Sequence, residues 1–192
     1  VLLSANWLIY VWAVTNDRVV DASLGYFINP LVTVLLGVLV LHERLRPLQW
    51  AAVIAGAVSV LVLVLGYGSV PWVSLGLAAS FGTYGLLKKQ VGLGAVEALT
   101  AETFAVVPLA LGGMGWALVA GELDFPAAPI SMKLLLLAAG AVTAAPLLAF
   151  GVATNRIPLS IIGLLQYLTP IIQFILGVFV FGEEVPPARL AG

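Results

Sequence analysis

Charged residues are scarce in this sequence, and their scarcity excludes a water-soluble globular fold. Lys and Arg number 8 and Asp and Glu number 9 among 192 residues, so 9% of the chain is charged while 62% is hydrophobic. A soluble domain carries roughly 25% charged residues because its surface faces water. A fold of this length cannot hide so much apolar surface in its own interior, so the sequence predicts an integral membrane protein whose partner is the lipid bilayer.

Cysteine is absent and His42 is the single histidine. The first absence excludes disulfides, thiolate catalysis and Cys-based metal sites, and one histidine cannot build a His-rich metal site. We therefore expect no cofactor and no metal. The net charge of −1 also argues against nucleic acid, whose binding proteins carry dense basic patches.

Long apolar runs dominate what is present. A membrane-spanning helix needs about 20 mostly apolar residues, and seven runs approach or reach that length. They are Val1–Val14, Ala22–Leu41, Leu48–Leu65, Trp72–Leu87, Ala98–Ala120, Leu134–Ala153 and Ser160–Phe181. The first run is too short to span, so we interpret the chain as a fragment that begins inside a helix and has no signal peptide.

The connectors between these runs are short and leave no room for a soluble domain. Backbone amides in lipid must be satisfied within the protein, which allows helices or a closed barrel. Runs of this length without strict alternation exclude the barrel. The sequence therefore predicts an all-α integral membrane bundle.

Basic residues in the connectors predict the orientation of the bundle, because cytoplasmic loops are enriched in Lys and Arg. Five of these residues fall on one predicted side, and this bias places the 42–47, 88–97 and 155–156 connectors in the cytoplasm. The five are Arg44, Arg46, Lys88, Lys89 and Arg156, against Arg18, Lys133 and Arg189 on the other side.

An internal repeat relates two of the runs. Residues 23–43 match residues 163–183 at a constant offset of 140 residues, with a proline, a Gly-Val pair and a terminal glutamate all in register. Chance similarity between two apolar segments is the alternative interpretation. The second and seventh runs are five spans apart, an odd number, so the two copies cross the membrane in opposite directions. Inverted repeats of this kind are typical of secondary transporters, whose substrate site lies near the midplane between the halves.

The repeat predicts inverted-topology five-helix units in a ten-helix transporter that is truncated here at both ends. Residues 1–70 would be the C-terminal part of the first repeat, spans 3–5. Residues 71–192 would be the second repeat without its last span, spans 6–9.

Several strings closely resemble the RarD group of the EamA family, within the drug/metabolite transporter superfamily. They include Asn6-Trp7-Leu8, the specific string from Gly25 to Pro30, Glu43-Arg44 followed by Gln49-Trp50, and Gln166-Tyr167. The resemblance covers essentially the whole chain. It implies an inner-membrane permease of ten helices in two inverted halves, with a poorly defined natural substrate. One departure is His42, where the family usually has Gly, as Gly182 is in the second copy.

Polar and aromatic side chains within the runs are the candidates for a substrate pathway. The predicted pathway residues are Asn6, Trp7, Tyr26, Asn29, Tyr84, Glu102, Gln166 and Tyr167. For any single one, a hydrogen bond to a neighbouring helix is the competing interpretation, worth about 0.6 kcal/mol. Glu102 is the carboxylate well inside a run, and such a charge usually faces a cavity or a partner. It is a candidate proton carrier, although it could instead snorkel to water.

Two prolines and the charged residues Glu43, Arg44 and Glu183 complete the candidate set. Pro30 and Pro170 lie mid-span in the two repeat copies and predict helix kinks, because proline removes an amide donor and clashes with the carbonyl four residues earlier. Glu43 and Glu183 end the paired helices, where an acidic side chain opposes the helix dipole. A gate salt bridge with Arg44 or Arg46 would explain that placement, and a solvated end charge is the alternative.

The sequence therefore favours a secondary transporter that moves a small metabolite or drug-like molecule by alternating access, with protons as a candidate coupling ion. A non-transporting membrane subunit or receptor is the second hypothesis, and it predicts no polar hollow between the halves. A membrane enzyme is the third, and the absence of a nucleophile–base pair or a metal cluster opposes it.

Overall fold

The computed structural model describes residues 2–67, 70–121 and 128–179 of the chain. Within these ranges the chain forms α-helices and no strand, which confirms the all-α prediction. The helices are α1 Leu2–Thr15, α2 Val19–Leu39, α3 Pro47–Tyr67, α4 Trp72–Val91, α5 Ala95–Val119, α6 Ile130–Arg156, α7 Leu159–Gln166 and α8 Leu168–Phe179.

Helix length and composition confirm the membrane assignment. Four segments of the described chain are long and apolar enough to cross a bilayer, namely Val19–Leu39, Pro47–Gly66, Ala95–Val119 and Ile130–Arg156. Large apolar side chains are exposed along them, and Val119 is 91% exposed. Because water would oppose such exposure, these faces contact lipid.

α4 and α6 extend furthest beyond the apolar runs that predicted them. α4 was expected to end at Leu87 but continues to Val91 and includes Lys88 and Lys89 in its last turn. Cations are favourable at a helix C-terminus because they complement the helix dipole, so hydrophobicity alone underestimated the length of this helix. α6 likewise extends to Arg156.

The seventh predicted run is not one helix. α7 ends at Gln166 and α8 begins at Leu168, and the backbone N–H of Tyr167 donates to the carbonyl of Leu164, 3.3 Å away, in a tightened turn. Pro170 has no N–H to offer the carbonyl of Gln166, so the helix loses a hydrogen bond at this point. α2, in contrast, is continuous through Pro30.

The chain divides into two compact units. Among the described residues, the larger unit contains those of Leu2–Gln90 and those from Ile157 to Phe179, and the smaller contains those of Val91–Arg156. These units do not follow the predicted division at residue 70, which stays a prediction about repeats. In the smaller unit α5 packs with α6, and Asn155 Nδ2 donates to the carbonyl of Leu93, 2.7 Å away.

Glycines allow α2 to pack closely against its neighbours in the larger unit. A Cβ added at Gly25 would lie 3.3 Å from Leu77 Cβ on α4. One added at Gly163 on α7 would lie 2.9 Å from the carbonyl oxygen of Pro30 and 2.7 Å from a methyl group of Val34. Small residues at helix interfaces let backbones approach, so α2 and α7, which belong to the two predicted repeat copies, are in direct contact.

The C-terminal end of α2 is closed by a residue in the left-handed region. His42 has φ 54°, and the N–H of Glu43 donates to the carbonyl of Gly37, 3.0 Å away. Glycine is the usual residue in this conformation because it has no Cβ to clash. The departure from glycine at position 42 therefore places mild backbone strain next to Glu43.

Candidate functional site

Three polar side chains meet where α2 faces the break between α7 and α8. Asn29 Nδ2 donates to Gln166 Oε1 at 3.1 Å, and Thr33 Oγ1 donates to the same oxygen at 3.4 Å. Tyr167 follows directly in the chain, and its hydroxyl abuts Gly56 of α3. We call Asn29, Thr33, Gln166 and Tyr167 the amide cluster. It joins the two predicted repeat copies through residues that lie next to Pro30 and within four residues of Pro170 in the chain.

The amide cluster contains polar atoms without a protein partner. Asn29 Oδ1 and Tyr167 Oη are both shielded from water and accept or donate no hydrogen bond within the described residues. Buried polar atoms are almost always hydrogen-bonded, and leaving one unpaired costs about 1–3 kcal/mol. The amide oxygen is therefore an unused hydrogen-bond acceptor, and the phenol is an unused donor and acceptor.

Glu43 has a partner that the sequence did not suggest. Its Oε1 accepts the backbone N–H of Leu159 at 2.7 Å, and its Oε2 accepts that of Ser160 at 2.8 Å. These are the first amides of α7, whose own N-cap residue, Pro158, offers no side-chain cap. We call Glu43 and these two amides the end clamp. A carboxylate at a helix N-terminus is favoured by the helix dipole, so Glu43 is well placed for α7 although it opposes the dipole of α2.

The end clamp replaces the predicted salt bridge. Arg44 and Arg46 are both exposed, and neither forms an ion pair with Glu43 in the described part of the chain. A Cβ at Gly37 would lie 2.8 Å from Glu43 Oε2 and 2.9 Å from the nitrogen of Ser160. Glycine is therefore required at position 37 for α7 to start against α2.

Two lysines at the end of α4 contribute further polar contacts in the larger unit. Lys89 Nζ donates to the carbonyl of Ile157, just before α7, at 2.7 Å. The start of α7 therefore has polar contacts both with Glu43, which follows α2, and with Lys89 of α4. Lys88 Nζ donates to the phenol oxygen of Tyr84 at 2.8 Å and lies 5.0 Å from the ring centroid. Tyr84, a predicted pathway residue, is buried in this contact.

The predicted pathway residues on α1 do not join the amide cluster through any described hydrogen bond. Asn6 Nδ2 donates to Leu77 carbonyl at 2.9 Å and to Ser80 Oγ at 2.8 Å, so it joins α1 to α4. Trp7 and Tyr26 each pack edge-on against Tyr10, with centroids 6.0 and 6.3 Å apart. Both are about half exposed, and they form an aromatic row on α1 and α2.

The remaining candidates are distributed elsewhere. Glu102 lies two turns into α5, in the smaller unit, and is partly buried. Pro170 is buried near the start of α8. Glu183 lies outside the described residues, so its predicted role as an end charge stays a prediction.

Asp21 directly precedes the apolar run Ala22–Leu41 that predicted α2. It belongs to the first turn of α2 and is 5% exposed. The sequence contained a signal for this earlier helix start, because acidic residues are favoured in the first turn of a helix and Asp21 follows Val19-Val20.

A family model and several relatives match this helical membrane protein. Residues 1–65 match the EamA-like transporter family. Protein RarD of Streptomyces exfoliatus is 54% identical over 191 residues, covering 100% of this chain and 61% of that protein. The uncharacterized transporter YojE of Bacillus subtilis is 47% identical over 191 residues, covering 98% and 63%. The chloramphenicol-sensitive protein RarD of Pseudomonas aeruginosa is 34% identical over 192 residues, covering 98% and 62%.

The fold and the relatives together show which class of protein this chain is and which family it resembles. The chain is a multi-pass α-helical protein of the inner membrane. The family match and the relatives confirm the resemblance to the RarD group of the EamA family that was noted in the sequence. The chain spans between three fifths and two thirds of the length of the curated relatives it matches. No solved structure is a significant match to the chain.

Proposed function

We propose that the full-length protein is a secondary transporter that carries a small metabolite or drug-like molecule through a site at the amide cluster. The observation that carries this proposal is the pair of shielded, partnerless polar atoms, Asn29 Oδ1 and Tyr167 Oη. They lie where helices of the two predicted repeat copies meet, and transporters with inverted repeats bind substrate at such a seam. The names of the relatives, which describe transporters rather than enzymes, support the same class.

The chemistry of the amide cluster favours a substrate with at least one hydrogen-bond donor on a largely apolar body. Asn29 Oδ1 would accept from that donor, and the Tyr167 hydroxyl would provide a second contact. Apolar side chains dominate α2 and α3 around these groups. Ligand sites of this kind bind through apolar surface and use a few polar groups for orientation.

Alternating access would follow from movement of α7 against α2. The end clamp fixes the start of α7 to the end of α2, so it would close one end of the seam in this conformation. Release of the two amides from Glu43 would free that end.

The accompanying proposal is that flux is coupled to protonation of Glu102. The variant Glu102→Gln tests it: if coupled flux survives unchanged in this variant, the proposal is contradicted.

Replacement of Tyr167 by Phe separates transport from stability. The hydroxyl has no protein partner, so its removal should leave the free energy of unfolding unchanged or raise it by up to about 1 kcal/mol. If the hydroxyl binds substrate, affinity should fall about fivefold to tenfold, because a neutral hydrogen bond contributes about 1 kcal/mol. Both quantities can be measured on full-length protein in liposomes.

The transport assay would use a panel of drugs and metabolites that begins with chloramphenicol, the compound in the name of one relative, with and without a proton gradient. Ser59→Ala is the matched control, because it removes a hydroxyl that bonds within α3. We expect at least one compound to show flux above that of empty liposomes, with weaker binding in Tyr167→Phe and an unchanged value in the control. Equal affinity in wild type and Tyr167→Phe would contradict a site at the amide cluster.

A further inference from the structure

Two arginines lie in the connector between α2 and α3. Both helices are long and apolar enough to cross a bilayer; the first ends at Leu39 and the second begins at Pro47. Because residues 40–46 join two consecutive spans, Arg44 and Arg46 lie where the bilayer meets water. Both side chains are exposed, and neither forms an ion pair within the described residues.

The acidic residue beside these arginines does not neutralise them. Glu43 directs both carboxylate oxygens to the two amides of the end clamp, at 2.7 and 2.8 Å. Exposure alternates along the connector in the same way: Glu43 and Leu45 are partly buried, whereas Arg44 and Arg46 are exposed. The end clamp therefore leaves two positive charges at the membrane surface without a counter-charge from the described residues.

The start of α3 supplies apolar surface next to the arginines. Leu48 is 83% exposed and Trp50 is 42% exposed. Trp50 follows Arg46 by four residues, so the two lie about one helical turn apart on the same side. Gln49 Oε1 accepts the backbone N–H of Arg46 at 2.7 Å, which fixes the chain before the helix. Tryptophan is enriched at the level of the lipid headgroups because its ring is amphipathic.

An anionic phospholipid matches this surface in charge and in polarity. Its phosphate carries the missing negative charge, and its acyl chains cover the apolar side chains. Guanidinium groups bind phosphate through paired hydrogen bonds, and basic residues next to a span attract anionic lipid. We propose that Arg44, Arg46, Leu48 and Trp50 form a binding site for one anionic phospholipid. We call these four residues the lipid site.

The lipid site is independent of the transport proposal. It contains no residue of the amide cluster, and it can be tested without a transported compound. It also assigns separate roles to two neighbours in the chain. Glu43 binds the start of α7, and Arg44, on the exposed side of the connector, binds the lipid headgroup.

Photo-cross-linking of lipid to the protein tests this proposal at the site itself. Full-length protein in phosphatidylcholine liposomes would receive a trace of photoreactive lipid, with the reactive group in an acyl chain and either a phosphatidylglycerol or a phosphatidylcholine headgroup. The adduct on the peptide that contains residues 47–67 would be measured by mass spectrometry. We expect the phosphatidylglycerol probe to label this peptide about tenfold more than the phosphatidylcholine probe, because each basic residue near anionic lipid contributes about a fivefold preference.

Variants with altered charge identify the headgroup ligands. Arg44→Gln and Arg46→Gln should each lower the preference about fivefold, and the two together should abolish it. Replacement of both arginines by lysine keeps the charge and should keep most of the preference. Arg18→Gln is the matched control, because it makes the same change of net charge at an arginine that already lies 3.8 Å from the carboxylate of Asp21. It should leave the preference unchanged.

Three results would overturn the proposal. The first is equal labelling by the two probes in the wild-type protein. The second is a preference that persists in the double glutamine variant, or that the lysine variant loses as completely as the glutamine variant does. The third concerns the source of the phosphate: unlabelled phosphatidylglycerol should compete with the probe, whereas inorganic phosphate at the same concentration should not, because it has no acyl chains. Equal competition by inorganic phosphate would assign the arginines to a free anion.

Discussion

Glu43→Ala is expected to lower the free energy of unfolding by about 3–5 kcal/mol, because two hydrogen bonds to a charged group, each worth about 1.5–3 kcal/mol, are lost. The Glu43 oxygens lie 2.7 and 2.8 Å from the amide nitrogens of Leu159 and Ser160. No side chain from α7 itself caps these amides, so they would lose their partner. Unfolding of the full-length protein in detergent, followed by helical circular dichroism, measures the change.

Two further variants distinguish the end clamp from a general effect of charge. Glu43→Gln keeps the shape but has one acceptor oxygen, so a loss of about 1–2 kcal/mol is expected. Glu97→Gln makes the same change at an exposed glutamate that accepts the N–H of Gly94 at the start of α5, at 3.2 Å, and should cost under about 1 kcal/mol. A loss at Glu43 no larger than that at Glu97 would show that the end clamp does not stabilise the protein.

Gly163→Ala is the second variant with a large expected effect. Its Cβ would lie 2.7 Å from Val34 Cγ2, 2.9 Å from the carbonyl oxygen of Pro30 and 3.0 Å from the backbone nitrogen of Val34. Two of these atoms are backbone and cannot turn aside, so α7 must move away from α2. Overpacking costs about 1–3 kcal/mol, and we expect a value near the upper limit together with reduced transport.

Gly140→Ala is the matched control for that substitution. Gly140 lies within α6, and a Cβ added there meets no atom within 4 Å. Alanine is favoured over glycine in a helix interior by about 0.5–1 kcal/mol, so this variant should be as stable as wild type or slightly more stable. If Gly163→Ala were as stable as Gly140→Ala, the close contact between α2 and α7 would be contradicted.

The fold was predictable from the sequence to the extent that it depends on hydrophobicity. The apolar runs located the helices, and Val1–Val14 closely matches α1 Leu2–Thr15. The errors occurred where another force determines the structure. Lys88 and Lys89 extend α4 because cations complement its C-terminal dipole, and the seventh run breaks at Tyr167, where Pro170 removes a hydrogen bond.

The candidate site was predictable in composition but not in pairing. Asn29, Gln166 and Tyr167 were chosen because polar groups are rare within spans, and the structure joins Asn29 to Gln166 by a hydrogen bond. The partner of Glu43 was not predictable, since two backbone amides 116 and 117 residues away leave no trace in residue type. The unfavourable position of Glu43 at the end of its own helix was the sole sequence signal. The start of α2 at Val19 was missed because the predicted run Ala22–Leu41 was defined by apolar residues alone, and Asp21 interrupts them.

The most direct test of the central claim, alternating access at the amide cluster, is the two-sided accessibility of a cysteine at position 29. The 192 residues contain no cysteine, so Asn29→Cys introduces a unique thiol into this part of the protein. A membrane-impermeant maleimide would be applied to right-side-out and to inside-out vesicles that contain the full-length protein. Alternating access predicts labelling from both sides, slowed by a transported compound. Labelling from one side alone, or from neither, would contradict it.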